Sequence, residues 1–189
     1  MLQSTTSYIE KALLLKVNKE KTKVSNPNQS YLLGLSFYKM KGIYHIRIAP
    51  KSLQRIKEKC KLMTKSSEPI KEEIRLKKLD AVIRGWVNYF KIAKVKSKKQ
   101  ELDEMIRTRL RISAWRRWKR IRTKIANLIK LGVEQGRPYQ LGNTSKKACR
   151  VAHSPILLTT LNINYWRSKG YRGFSNYYNW QTQRRQLLL

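Results

Sequence analysis

The stretch RLKKLDAVIRGWVNYFKIAK (75–94), followed by VKSKKQ (95–100) and ELDEMIRTRLRISAWRRWKRIRTKIANLIK (101–130), decides the reading. It predicts two amphipathic helices joined by a lysine-rich loop. In the first, Leu79, Val82, Ile83, Trp86, Val87 and Phe90 recur at steps of three and four, which is one helix face. In the second, Leu102, Met105 and Ile106 begin a stripe that resumes at Trp115, Trp118, Ile121, Ile125 and Leu128. The other face of that helix is unusual: nine of the 18 residues from Arg107 to Lys124 are Arg or Lys, and none is acidic. A self-balanced helix interleaves Glu with such cations at i,i+4. Here the negative charge has to come from a partner.

The whole chain repeats that imbalance. Its 189 residues hold 43 Lys plus Arg against 11 Asp plus Glu, net +32. Such a surface repels itself and favours a polyanion, nucleic acid first and anionic membrane second. No run of 18 apolar residues is present to span a bilayer. Apolar residues still make up 41%, with five Trp and ten Tyr, enough for a packed core. Cys60 and Cys149 form no C-x-x-C pair, and with His45 and His153 they match no zinc spacing, so all four read as structural and no metal or cofactor is expected. The N-terminus lacks the charged and long apolar regions of a signal peptide. A reducing, cytoplasmic setting is therefore expected.

Taken in order, Ser7 to Val17 predicts a short helix, Asn18 to Val24 a polar link, and SNPNQS a turn. Leu33, Leu35 and Phe37 alternate, as do Tyr44, Ile46 and Ile48, with Lys41-Gly42 between them, so a β-hairpin is expected. Ser52 to Met63 predicts a helix that breaks over 64–69. Gly132 suits the C′ position that ends the second long helix. The stretch 133–151 reads mostly as loop. Ser154-Pro155 then reads as an N-cap with proline at N1, opening a helix to Arg167 that Gly170 stops. The tail is aromatic, then basic, with Leu187 to Leu189 as a frayed end. The fold class is therefore α+β, mainly α. The expected domains are 1–50 with the hairpin and short helix, a helical region 51–130, and a loop-plus-helix extension 131–189.

The ordered blocks LKVNKEKTKV, YLLGLSFYKMKG, IRIAPKS, LDAVIRGWVNYF, RLRISAWRRWK, NLIKLGV, GNTSKKACRVAHSPIL and NYWRSKGY together resemble the C-terminal part of a bacterial group II intron reverse transcriptase/maturase. The resemblance runs from about Ile9 to Trp180. It implies that Asn18, Lys19, Lys21 and Thr22 match the segment just downstream of the polymerase's catalytic turn. Leu33, Gly34 and Phe37 match the hairpin that ends the palm and helps hold the primer strand. Ser52 to Trp118 matches the thumb and maturase-specific region, domain X, which grips intron RNA and template–primer. Gly142 to Tyr171 matches the family's C-terminal extension. The family's metal-binding Tyr-x-Asp-Asp turn lies upstream of the Asn18 segment, and this sequence holds only Asp80 and Asp103, both in the helical region. Cys149 stands where the family tends to have a Trp, and no Cys-rich HNH module follows.

Three basic clusters are candidate RNA contacts. The first is Arg107, Arg109, Arg111, Arg116, Arg117, Lys119, Arg120, Arg122 and Lys124. Guanidinium groups there can pair bidentately with phosphates and stack on bases. The second is Lys96, Lys98 and Lys99, and the third is Lys146, Lys147 and Arg150. Each of these two also reads as a solubilising patch. Trp86, Trp115 and Trp118 read as core at helical spacing. No catalytic triad or phosphate-binding glycine loop is proposed. The resulting expectation is an RNA-binding maturase fragment that assists intron splicing and mobility without catalysis of its own. Alternatives are half of a split RNA-directed DNA polymerase beside a separate fingers–palm chain, a decayed mobile-element remnant, or a generic basic nucleic-acid-binding protein.

Overall fold

The computed structural model describes residues 2–68, 70–93, 96–134 and 136–186. The chain divides into two units, Met1–Ala49 and Pro50–Leu189. The first holds helix α1 (Leu2–Lys11), a 3-10 turn at Pro27–Gln29, and strands β1 (Tyr31–Leu32), β2 (Leu35–Met40) and β3 (Ile43–Ile48). The strands are antiparallel in the order β1-β2-β3, with Phe37 opposite Ile46 and Tyr38 opposite His45. Two tight turns set this register. Leu33 and Gly34 sit at φ +50° and +80°, and Lys41 and Gly42 at +50° and +81°. Positive φ at both central residues is the geometry that matches the strands' own twist. Helix α1 lies five to six residues N-terminal to its predicted span. Its apolar residues find no core: it buries none of them, and Leu14 turns the backbone out of the helix at φ +54°.

The second unit is helical: α2 (Pro50–Met63), α3 (Glu72–Phe90), α4 (Lys96–Arg117), α5 (Ile121–Lys130), α6 (Arg137–Gly142), α7 (Ala148–Val151), α8 (Pro155–Thr160), α9 (Ile163–Ser168) and α10 (Phe174–Gln186). With the small sheet, this makes the chain α+β and mainly α. Its core runs through every long helix. Ile56 and Cys60 of α2 meet Leu76, Leu79, Ile83 and Val87 of α3. Leu102, Ile106, Leu110, Ala114 and Trp115 of α4 join the same cluster, one turn apart along one face. Val151, Leu157, Leu161, Trp166, Tyr171 and Phe174 close it from the C-terminal third. The link after α2 is clamped by buried Arg75, which donates to the Lys65 carbonyl at 2.7 Å and the Glu68 carbonyl at 3.0 Å. Burial lowers the pKa of that guanidinium, and neighbouring Arg117 lowers it further.

Several elements differ from the periodicity reading. The second long helix is broken: Arg120 is extended, at φ −88° and ψ 146°, so α4 and α5 are separate. Lys96, Lys98 and Lys99 do not form a loop but open α4. The predicted helix to Arg167 is also two helices, because Asn162 caps α9, accepting from the Asn164 and Tyr165 amides at 2.9 and 3.0 Å. The expected loop over 133–151 contains α6 and α7, and the tail is a helix, α10. Pro69 and Leu187 to Leu189 lie outside the described residues. The two caps behave as predicted. The Ser154 hydroxyl oxygen accepts from the Leu157 amide, and Gly132, at φ +79°, donates to Ile129 while Val133 donates to Leu128. That pair of bonds closes the helix end.

Candidate nucleic-acid interface

The nine cations of 107–124 sit in very different surroundings. Arg109 is taken up by the protein: its Nε donates to Thr64 Oγ1 at 2.7 Å and its Nη2 to the Lys61 carbonyl at 2.9 Å. It thereby satisfies the C-terminal end of α2, where carbonyls lack helical partners. Arg111 is buried, donating to the Ala152 carbonyl at 2.9 Å and to Thr108 Oγ1 at 3.0 Å. Burial, and secondarily the charge of Arg107, lower its pKa. Arg116 donates to Ser66 Oγ at 2.6 Å, and Arg117 pairs with Glu72 at 2.6 Å, fixing the end of α4 to the start of α3. Lys124 lies over the Trp115 ring, 4.7 Å from its centroid.

Arg107, Lys119, Arg120 and Arg122 remain. Among the described residues none of these side chains pairs with a carboxylate. Arg107 is half-buried, whereas Lys119, Arg120 and Arg122 are exposed and flank the break between α4 and α5. The break rests on aromatic packing. Trp118 packs against the core and meets buried Trp115 edge-on, with centroids 6.0 Å apart. Three cations are thus presented to solvent at one corner, with no carboxylate paired to them among the described residues.

The second cluster is split between surface and interior, with Lys98 exposed. Lys99 is buried, with its Nζ 3.0 Å from the Tyr178 ring centroid. Lys98 pairs with Glu101, which also meets Lys57; these two lysines hold the Glu101 carboxyl below its usual pKa. The Lys96 side chain lies outside the described residues. The third cluster, Lys146, Lys147 and Arg150, is exposed around α7. Leu33 and Gly34 form the turn between β1 and β2, with Leu33 exposed, and Phe37 is half-buried on β2.

Sequence reasoning overlooked the role of Asp103. Set in the second turn of α4, it does not serve its own helix N-terminus as its sequence position suggests. Its buried carboxylate accepts the Tyr171 hydroxyl at 3.0 Å and the Phe174 and Ser175 amides at 2.7 and 2.9 Å. It caps α10 from another helix. Trp86 contributes as expected of a core residue, half-buried against Phe90 and edge-on to Phe174 at 5.2 Å.

Among the described residues, no helix is long and apolar enough to cross a membrane. No curated protein matches the chain. Residues 53–132, which run from α2 through α5 to the Gly132 turn, match the family model for the group II intron, maturase-specific domain. That domain is non-catalytic and supports a group II intron maturase role in splicing. Over residues 53–132 this match supports the resemblance to the C-terminal part of a group II intron maturase.

Proposed function

We propose that the helical unit binds group II intron RNA and that the break between α4 and α5 is its main phosphate contact. The observation that carries this is the trio Lys119, Arg120 and Arg122, exposed and without an acidic partner among the described residues. Structured RNA supplies closely spaced phosphates, and basic side chains that meet them release condensed counterions. By holding RNA segments against one rigid helical surface, the unit assists intron folding and splicing. The test is binding of the purified chain to intron RNA and to an unrelated structured RNA, from ~50 to ~200 mM salt, where six contacts would cost about three orders of magnitude in affinity. Replacing Lys119, Arg120 and Arg122 together by Ala should lower the log–log salt slope by about 2–3 and leave the melting temperature unchanged. A slope that does not respond to those changes rules the corner out as the contact.

A second reading is half of a split RNA-directed DNA polymerase, gripping template–primer beside a separate fingers–palm chain. It is favoured by the Met1–Ala49 unit, where Ser36, Ile48 and Ala49 are buried while Tyr31, Leu32 and Leu33 are exposed. In both readings this chain alone does not polymerise, because two-metal nucleotidyl transfer needs clustered carboxylates. Of its two aspartates, Asp103 is committed to α10, and Asp80 pairs with Arg84 at 3.1 Å. Primer extension with magnesium, with and without an added fingers–palm fragment, separates the readings. Extension by the chain alone overturns both.

A further inference from the structure

The turn that carries α7 holds cations in a different arrangement from the α4–α5 corner. A surface pocket of about 680 Å3 is lined by Ser145, Lys146, Lys147, Cys149, Arg150 and His153. The lining offers two lysines and an arginine, an imidazole, a thiol and a hydroxyl, and no carboxylate. Among the described residues, Lys146, Lys147 and Arg150 have no acidic partner elsewhere either. Their backbone cannot readily spread to relieve the repulsion. Val151 and Ala152 behind them are buried, and Arg111 of α4 holds the Ala152 carbonyl. Like charges fixed around one concavity raise its potential, and an anion seated there removes the repulsion.

We infer that this pocket seats a phosphate of the RNA backbone, as an anchor separate from the α4–α5 corner. The inference rests on the RNA-binding reading above. An arginine fork matches two phosphate oxygens, lysines add point charge, and hydroxyl and imidazole groups supply further donors. Both anchors belong to the helical unit. Once one is engaged, the other binds intramolecularly, so the pocket strengthens RNA binding without holding a lone phosphate tightly.

Cys149 provides the readout, because it is exposed and lines the pocket, while Cys60 is buried. The full chain is treated with N-ethylmaleimide, modification of Cys149 is followed by mass spectrometry, and RNA binding is measured in the same samples by anisotropy. With RNA at ten times its Kd the free fraction is about one-eleventh, so modification should slow about tenfold. Pyrophosphate at the same phosphate concentration should slow it far less. Lys146→Ala, Lys147→Ala and Arg150→Ala together should lower the salt slope by about 2–3 with the melting temperature unchanged. Bound RNA with unslowed Cys149 modification overturns the pocket assignment and leaves the corner standing. Equal protection by pyrophosphate shows a small-anion site and overturns the RNA assignment. Absence of RNA binding by anisotropy sinks both this inference and the reading beneath it.

Discussion

The Asp103 carboxylate accepts the Phe174 amide at 2.7 Å across 71 residues of sequence, so the first turn of α10 is completed by a side chain from α4. Asp103→Asn keeps the shape but replaces one acceptor oxygen by a donor that faces other donors. Loss of charged hydrogen bonds in a buried setting should cost about 2–3 kcal/mol, read as a lower urea midpoint. An unchanged midpoint would mean that α10 is held by packing alone.

Gly173 stands beside that carboxylate. It lies at φ +81°, and a Cβ built there would come within 2.8 Å of Asp103 Oδ1. Gly170 also has positive φ, +95°, but its Cβ would meet open space. Gly170→Ala should cost roughly 1–2 kcal/mol from backbone strain alone. Gly173→Ala should cost more, because it also displaces the cap. Equal losses in thermal melts would refute the steric part of this account.

Arg109 and Arg122 look alike in sequence but should separate in experiment. Arg109→Ala removes two hydrogen bonds to the end of α2 and should cost about 1–3 kcal/mol, with the RNA salt slope unaltered. Arg122→Ala should leave stability unchanged and lower the slope by about 1. Swapped outcomes would show that the assignments are inverted.

Alkaline pH should destabilise the helical unit. Burial pushes the Cys60 thiol from 9.0 up to about 12, partly offset by Lys59. Burial, then the negative charge of Asp103, raises the Tyr171 phenol well above its ordinary value. Both groups are neutral in the fold and ionise more easily in the unfolded chain. Their stabilisation is therefore fully present below about pH 9 and is lost as the pH rises toward 12. Urea midpoints from pH 7 to 11 should hold level and then fall; a level profile to pH 11 would contradict the sign.

What was legible in the sequence was local. The Lys41-Gly42 turn, the Ser154-Pro155 cap, the Gly132 helix end and the α3 stripe each carry their signal within a few residues. The break at Arg120 has no such signal: no glycine or proline is present, and Arg120 makes no side-chain cap. Asn162 did offer a cap, but the apolar run around it reads as one helix. The start of α10 was illegible because its cap is Asp103, far away in the chain. The same limit applied to the cations, since spacing cannot tell Arg109, satisfied by α2, from Arg122, facing water.

The thin packing of the Met1–Ala49 unit has a practical consequence at the bench. Tyr31, Leu32, Ile43 and Tyr44 are exposed on short strands, and β3 is an outer strand of the sheet. Open strands with apolar side chains invite self-association. In dilute buffer the net charge of +32 keeps copies apart. The concentrated salt needed to strip host RNA during purification shortens the screening length to about 3 Å and removes that protection. Clean protein and monodisperse protein therefore make opposite demands on ionic strength, and stripping the RNA at high salt should be followed promptly by dilution.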